Sequence, residues 1–189
     1  MARILIAISS NFGANLMLAR LLSPVLEGFG ASVRIRRVEV HAPSAELSEL
    51  EYASGIDLEW ADGFVFSSPS HTGLMSSAMK AFIDANHEAA VNGKYLNKTF
   101  AGMATSGFAH AGQERVVDDL NAVAAAWGCL VVTPSTANPD LNRLNGNPFG
   151  LSFVLQHGRI ADVDVVTQVL KTHFKRFVAV TEALASLKE

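Results

Sequence analysis

The sequence predicts an α/β fold in three layers, a five-stranded parallel sheet of order 2-1-3-4-5 with helices on both faces. Three observations carry this. Short apolar runs alternate along the chain with segments whose apolar residues recur at helical spacing. Such alternation implies parallel strands joined by right-handed helical crossovers. The loops after the first, third and fourth strands are the ones enriched in Ser, Thr, Gly and Asn, and this strand order gathers them at the carboxyl edge where the order reverses.

The first strand, residues 3–8, is apolar on both faces and therefore lies inside the sheet. After a polar loop, Leu18, Leu21, Leu22, Val25, Leu26 and Phe29 mark one helix face, closed by Gly28 and Gly30. Pro24 sits inside that helix and predicts a kink or an offset. Residues 32–38 alternate Val33 and Ile35 with Arg34 and Arg36, the pattern of an edge strand. Residues 46–52 suit a short helix and 57–60 a helical turn before the third strand, 63–66. Met75, Ala78, Met79, Phe82 and Ile83 give the next helix face, running to about Glu88.

The fourth strand is 99–104, and Val116, Leu120, Val123 and Trp127 define the helix behind it. The fifth strand is 130–132. Residues 133–162 read as a long irregular stretch with turn signals at Asn138-Pro139, Asn145-Gly146, Asn147-Pro148 and His157-Gly158. Loops of that length tend to be lids or interface elements. A final helix from about residue 162 to 187 buries Val166, Val169, Leu170, Phe177 and Leu184. No repeat or linker divides the chain, so residues 1–189 are expected to form one domain.

Composition narrows the function. A net charge of −3 gives no basic face for nucleic acid. The single cysteine, Cys129, excludes an internal disulfide framework and a cysteine-rich metal site. His41, His87, His157 and His173 lack metal-binding spacing, so no metal site is expected. No apolar run approaches the ~20 residues of a membrane span. The N-terminal run is too short for a signal peptide, which makes the cytoplasm the expected location.

The chemistry lies in the loops. Ser9-Ser10-Asn11-Phe12-Gly13-Ala14-Asn15 joins a strand to a helix N-terminus. The first N–H groups of a helix have no partner within it, and its dipole adds roughly half a positive charge there. Ser9, Ser10 and Asn15 can add hydroxyl and amide donors, and Gly13 lets the chain bend close to a guest. The loop has no P-loop lysine and no G-x-G-x-x-G, which points to a single phosphate monoester rather than a triphosphate or dinucleotide. An ordinary βα turn with nothing bound is the alternative.

The second loop is Ser67-Ser68-Pro69-Ser70-His71-Thr72-Gly73, and the third runs Thr105-Ser106-Gly107-Phe108-Ala109-His110-Ala111-Gly112. Ser70-His71 lacks the G-x-S-x-G elbow and a motif-placed acid, which disfavours a hydrolase. Ser9-Ser10 and Ser67-Ser68 stand where a phosphorelay receiver needs carboxylates, so that reading fails.

With these loops the chain resembles the flavodoxin-like superfamily. Within it, the chain is similar to the NAD(P)H:quinone oxidoreductases of the tryptophan-repressor-binding-protein (WrbA) type and to NADPH-dependent FMN reductases. Ser10-Asn11-Phe12-Gly13-Ala14-Asn15 resembles the FMN-phosphate loop. Pro69-Ser70-His71-Thr72-Gly73 and the helix after it resemble the segment lining the isoalloxazine. Thr105-Ser106-Gly107-Phe108, running to Gly112-Gln113-Glu114, resembles the third flavin loop, and Asn147-Pro148-Phe149-Gly150 a late Pro-aromatic-Gly element.

The resemblance covers essentially the whole chain. It implies FMN as cofactor, NAD(P)H as co-substrate, a quinone-like acceptor and a homo-dimer or tetramer. His71 and His110 stand in the flavin loops, and His71 is the candidate catalytic proton donor. Trp127 departs from the family, where relatives often carry a flavin-reaching histidine, and Ala90 departs where many carry an aromatic ring. A one-electron carrier and a non-catalytic module on the same fold remain open at this level.

Overall fold

A computed structural model describes residues 1–39, 41 and 44–187. The strands are β1 (Arg3–Ile8), β2 (Ser32–Arg37), β3 (Gly63–His71), β4 (Leu74–Met75), β5 (Thr99–Ser106), β6 (Leu130–Val131) and β7 (Leu151–Val154). The α-helices are α1 (Ala14–Gly28), α2 (Ala45–Ser48), α3 (Gly55–Trp60), α4 (Ser77–Ala85), α5 (His87–Val91), α6 (Gln113–Ala126) and α7 (Val163–Ala183).

The α/β fold with its parallel sheet is as expected, but the sheet has seven strands rather than five. Its main path runs β2-β1-β3-β5-β6. The position beyond β5 is shared: β6 pairs with Thr99 and Phe100, whereas β7 pairs with Met103 to Ser106. Pro134 follows closely after β6, and proline cannot donate to a ladder, so the strand stops after two residues. The chain then loops out and returns on Leu151-Ser152-Phe153-Val154, whose first three residues are buried. The stretch read as irregular therefore contains a parallel strand. The seventh strand of the count, β4, folds back antiparallel on the end of β3.

Side-chain alternation on β1 divides the core. Ile4, Ile6 and Ile8 face α1 and α7, while Leu5 and Ala7 face α4 and α6. Both faces are thus covered, and the three layers follow. β2 is the edge strand that its alternation predicts. Val33 and Ile35 pack on the α1–α7 side, while Arg34 and Arg36 reach the buried carboxylate of Asp57 at 3.1 and 3.2 Å. Those guanidiniums help hold the Asp57 carboxyl below its ordinary value, against desolvation, together with hydrogen bonds from Ser54.

α1 runs unbroken through Pro24 to Gly28. Pro24 is exposed, so the Arg20 carbonyl that loses its helical partner faces water. Lys98 is buried and donates to the carbonyls of Leu58, Glu59 and Ala61, closing the end of α3. Trp127 packs among Tyr95, Phe64 and Phe66. It is 5% exposed and fills the core. No helix among the described residues is long and apolar enough to cross a membrane.

His173 on α7 is 3% exposed, and its Nδ1 has no hydrogen-bond partner. Burial, reinforced by the charge of Arg176, pushes its pKa down to about 3. Below the ordinary value of 6.5 the unfolded chain takes up a proton that the folded chain refuses. Stability should therefore fall as pH drops from about 6.5 towards 3, by at most about 1.4 kcal/mol per unit. Urea unfolding of His173→Leu should show a shallower loss than the wild type across this window, and equal slopes would assign the loss to other groups.

Candidate functional site

The carboxyl ends of β1, β2 and β3 meet in a network of polar side chains. Asn15 is fully enclosed. Its Nδ2 donates to the Ser9 carbonyl at 2.9 Å, and its Oδ1 accepts from the Ser67 hydroxyl at 2.8 Å. The amide expected to reach a phosphate is thus spent tying the first loop to β3. Ser10 is buried, and its Oγ accepts from the Leu16 N–H at 3.3 Å.

What the loop offers outward is backbone. Gly13 caps α1 with φ +86° and open space where a side chain would be. The first-turn N–H groups of Ala14 and Asn15 have no partner within the helix by its geometry. This is a cradle of neutral donors at a positive helix end, and it fits one phosphate. Asn11 and Phe12 stand exposed beside it.

One residue of this network escaped sequence reasoning. Glu39, just past β2, accepts from the Ser9 hydroxyl at 2.6 Å and the Ser10 N–H at 2.8 Å. Ser76, the N-cap of α4, in turn donates to Ser9 Oγ at 2.6 Å. The register that sets Ile8 beside Arg37 is what delivers Glu39 to the loop, and neither composition nor local pattern signals it.

A cleft of about 550 Å³ lies between the second and third loops. One wall is the β3–β4 hairpin, turned by Thr72 at φ +52° and Gly73 at φ +85°. Two consecutive positive φ values make the turn whose twist matches the strands it joins. The other wall is Gly107, Phe108, His110, Ala111 and Gly112.

The walls touch at the base. Ser70 Oγ donates to the Ala111 carbonyl at 2.6 Å, and a Cβ on Gly112 would come within 2.6 Å of Gly73 Cα. Ser106 Oγ donates to the Phe108 carbonyl at 2.7 Å, while Gln113 spans Ala109 and Ala111, so the third loop is braced from within.

The expected site residues divide accordingly. Ser70, Thr72, Gly73, Gly107, Phe108 and Gly112 line the cleft. Pro69, Thr105 and Ser106 lie beneath it as paired strand residues. His71 does not line it. β3 continues through His71, which sits opposite Leu74 in the hairpin, and alternation turns it away from the side taken by Ser70. The cleft's histidine is His110. Among the described residues no His, Cys, Asp and Glu cluster could hold a metal.

The close contact of two glycines sets a test. Gly112→Ala places a Cβ against Gly73 at φ +81° and should cost roughly 1–3 kcal/mol in urea unfolding. Gly107→Ala, where nothing lies within 4 Å and φ is not positive, should leave stability nearly unchanged. Equal losses would mean that the contact does not set the cleft.

Comparison with known proteins gives the same picture. The family model for NADPH-dependent FMN reductase matches residues 13–140, from the glycine of the phosphate cradle through both walls of the cleft. The chain is 30% identical over 163 residues to an NAD(P)H dehydrogenase (quinone) of Deinococcus radiodurans, covering 79% of this chain and 82% of that protein. To an NAD(P)H dehydrogenase (quinone) of Archaeoglobus fulgidus it is 28% identical over 145 residues, 70% and 76% of the two chains. A flavodoxin, WrbA-like protein from Agrobacterium tumefaciens has the same fold, with a TM-score of 0.67, 18% identity, and 95% and 98% of the chains covered. The cradle, the two-walled cleft and these matches agree, and the chain belongs to the NADPH-dependent FMN reductase family.

Proposed function

We propose that the chain is an FMN-dependent NAD(P)H:quinone oxidoreductase. One observation carries the reading: a phosphate-ready helix end after β1 and an open, glycine-lined cleft after β3 and β5 stand at the carboxyl ends of neighbouring strands. FMN, when bound, supplies the redox chemistry, taking a hydride from the nicotinamide and passing two electrons to the acceptor.

The residues hold and shield. The N–H groups of Ala14 and Asn15, with the bend at Gly13, grip the phosphate end, and Ser10, Asn11 and Phe12 complete that loop. The glycines at 73 and 112 let a flat ring lie close to backbone. Ser70 and Thr72 on one side and Gly107 and Phe108 on the other flank it, with Pro69, Thr105 and Ser106 beneath as paired strand residues. A carrier reading would place rings on both walls, whereas Phe108 alone stands there and is 78% exposed. An open ring face suits nicotinamide and quinone stacking in turn, each held at a reacting distance of about 3–3.5 Å.

Reduction of a quinone to a hydroquinone also needs protons. His110 lines the cleft and can donate to a quinone oxygen, so the donor role expected at His71 passes to His110. In stopped flow, His110→Ala should slow the quinone half-reaction by about a hundredfold and spare flavin reduction by NAD(P)H. His71→Ala should leave both half-reactions unchanged. The reverse pattern would return the role to His71.

Association into a dimer or tetramer completes the reading. Phe12, 92% exposed, and Phe108 are large apolar rings beside the site, and Leu74 is also exposed. Association would cover part of that exposed apolar surface. A cytoplasmic location, where NAD(P)H is at hand, agrees with the single buried Cys129, whose thiol burial pushes up to about 12. Light scattering should give a dimer or larger at micromolar concentration, and a fully active monomer would remove the oligomer.

A further inference from the structure

The phosphate cradle shares a cavity with a late part of the chain. A groove of about 470 Å³ is lined by Phe12, Gly13 and Ala14 at the start of α1 and by Gly158, Arg159 and Ile160 after β7. Residues 156–159 form a hairpin in which Gln156 and Arg159 exchange both backbone hydrogen bonds, at 2.9 and 3.0 Å. It turns through His157 at φ +51° and Gly158 at φ +76°, the two consecutive positive values of a tight two-residue loop. The hairpin is tied at both ends. The Leu155 N–H donates to the Ser106 carbonyl at 2.8 Å, and Ile160 is buried in the core that α1 and α7 cover. Arg159 is thus carried on a fixed backbone, with its side chain exposed.

The charges of this groove are unevenly used. Arg20 also lines it, but its guanidinium pairs with Glu46 and Glu49 at 3.6 and 3.5 Å. Arg159 enters no ion pair among the described residues. Glu46 is the one carboxylate among the lining residues, and it is already the partner of Arg20. A phosphate monoester carries up to about two negative charges. The N–H groups of a helix start and roughly half a positive charge from its dipole answer only part of that. Arginine presents a planar fork of donors suited to phosphate oxygens. An uncommitted cation and the seat of an under-compensated anion therefore lie in one cavity.

We propose that Arg159 is the cation of the FMN phosphate site, and the residue through which the chain prefers a phosphorylated flavin to riboflavin. The neutral donors of the first loop fix where the phosphate sits, and Arg159, supplied by the hairpin after β7, counters its charge. Retention of the cofactor then depends on two separate parts of the chain, the loop after β1 and the long stretch that brings β7 to the sheet. Because Arg159 is exposed, its attraction is screened by salt. This inference rests on the flavin reading of the cradle.

The test is titration of the flavin-stripped full chain with FMN and with riboflavin, followed by flavin fluorescence at low and high salt. The wild type should bind FMN more weakly as salt rises, while riboflavin, which lacks the phosphate, should bind with little salt dependence. Arg159→Gln should weaken FMN binding by about tenfold, leave riboflavin unchanged and lose most of the salt dependence. Arg159→Lys, which keeps the charge without the fork, should recover part of the loss. Wild-type FMN affinity that ignores salt overturns the proposal whatever the variants do. Unchanged FMN affinity in Arg159→Gln, or an equal loss for FMN and riboflavin, overturns it as well. If Arg159→Gln keeps its FMN affinity but raises the KM for NADPH and not for NADH, the arginine serves the 2′-phosphate of the nucleotide and the proposal falls. Failure of the wild type to bind either FMN or riboflavin overturns the flavin reading itself.

Discussion

The site depends on how the fold satisfies its polar groups where β1 ends. β1 is covered on both faces, so when the chain leaves it at Ser9 and Ser10 the backbone is still buried. Buried polar groups without partners are costly. Asn15 accepts from Ser67 and donates to Ser9, while Glu39 accepts from both Ser9 and Ser10. These few bonds lock the loop in the shape that leaves Gly13 and the first turn of α1 facing outward. Side chains that look like ligands in the sequence are thereby the frame, and the backbone is what remains for the guest.

This explains what could and could not be read in advance. Periodicity revealed α1, α4, α6 and α7 because each buries a continuous apolar face. The double-sided apolar character of β1 and the arginine-bearing face of β2 placed those strands correctly. β7 escaped because four residues flanked by Asn147-Pro148 and His157-Gly158 carry too little pattern to outweigh their turns. The direction of His71 depended on β3 running on as a strand through the second loop, which Pro69 and Ser70 in the sequence argued against. Glu39 was invisible for another reason. Its role depends on strand register between distant residues, not on any local signal.

The cleft shows the same separation of roles. Its width is set by contact between two glycine positions and by hydrogen bonds within the third loop. The side chains it leaves most open to solvent are few, Phe108 and His110 foremost. Substitutions at the exposed groups leave the walls in place, whereas a single methyl on Gly112 moves both. Framework and specificity are carried by different residues, a division common where loops are held by a rigid sheet.

The split lane beside β5 has a consequence for how the chain is made. β6 covers only the beginning of β5, and the rest waits for β7, about twenty residues later. At ribosomal rates of about 5–20 residues per second, the upper half of β5 stays uncovered for roughly one to five seconds after its lower half is covered. An uncovered strand edge is a template for pairing with another chain. The nascent protein is most open to that mispairing between the synthesis of Val131 and that of Leu151, with the α1 face of β1 still awaiting α7. Chaperone protection during synthesis would matter most in that interval.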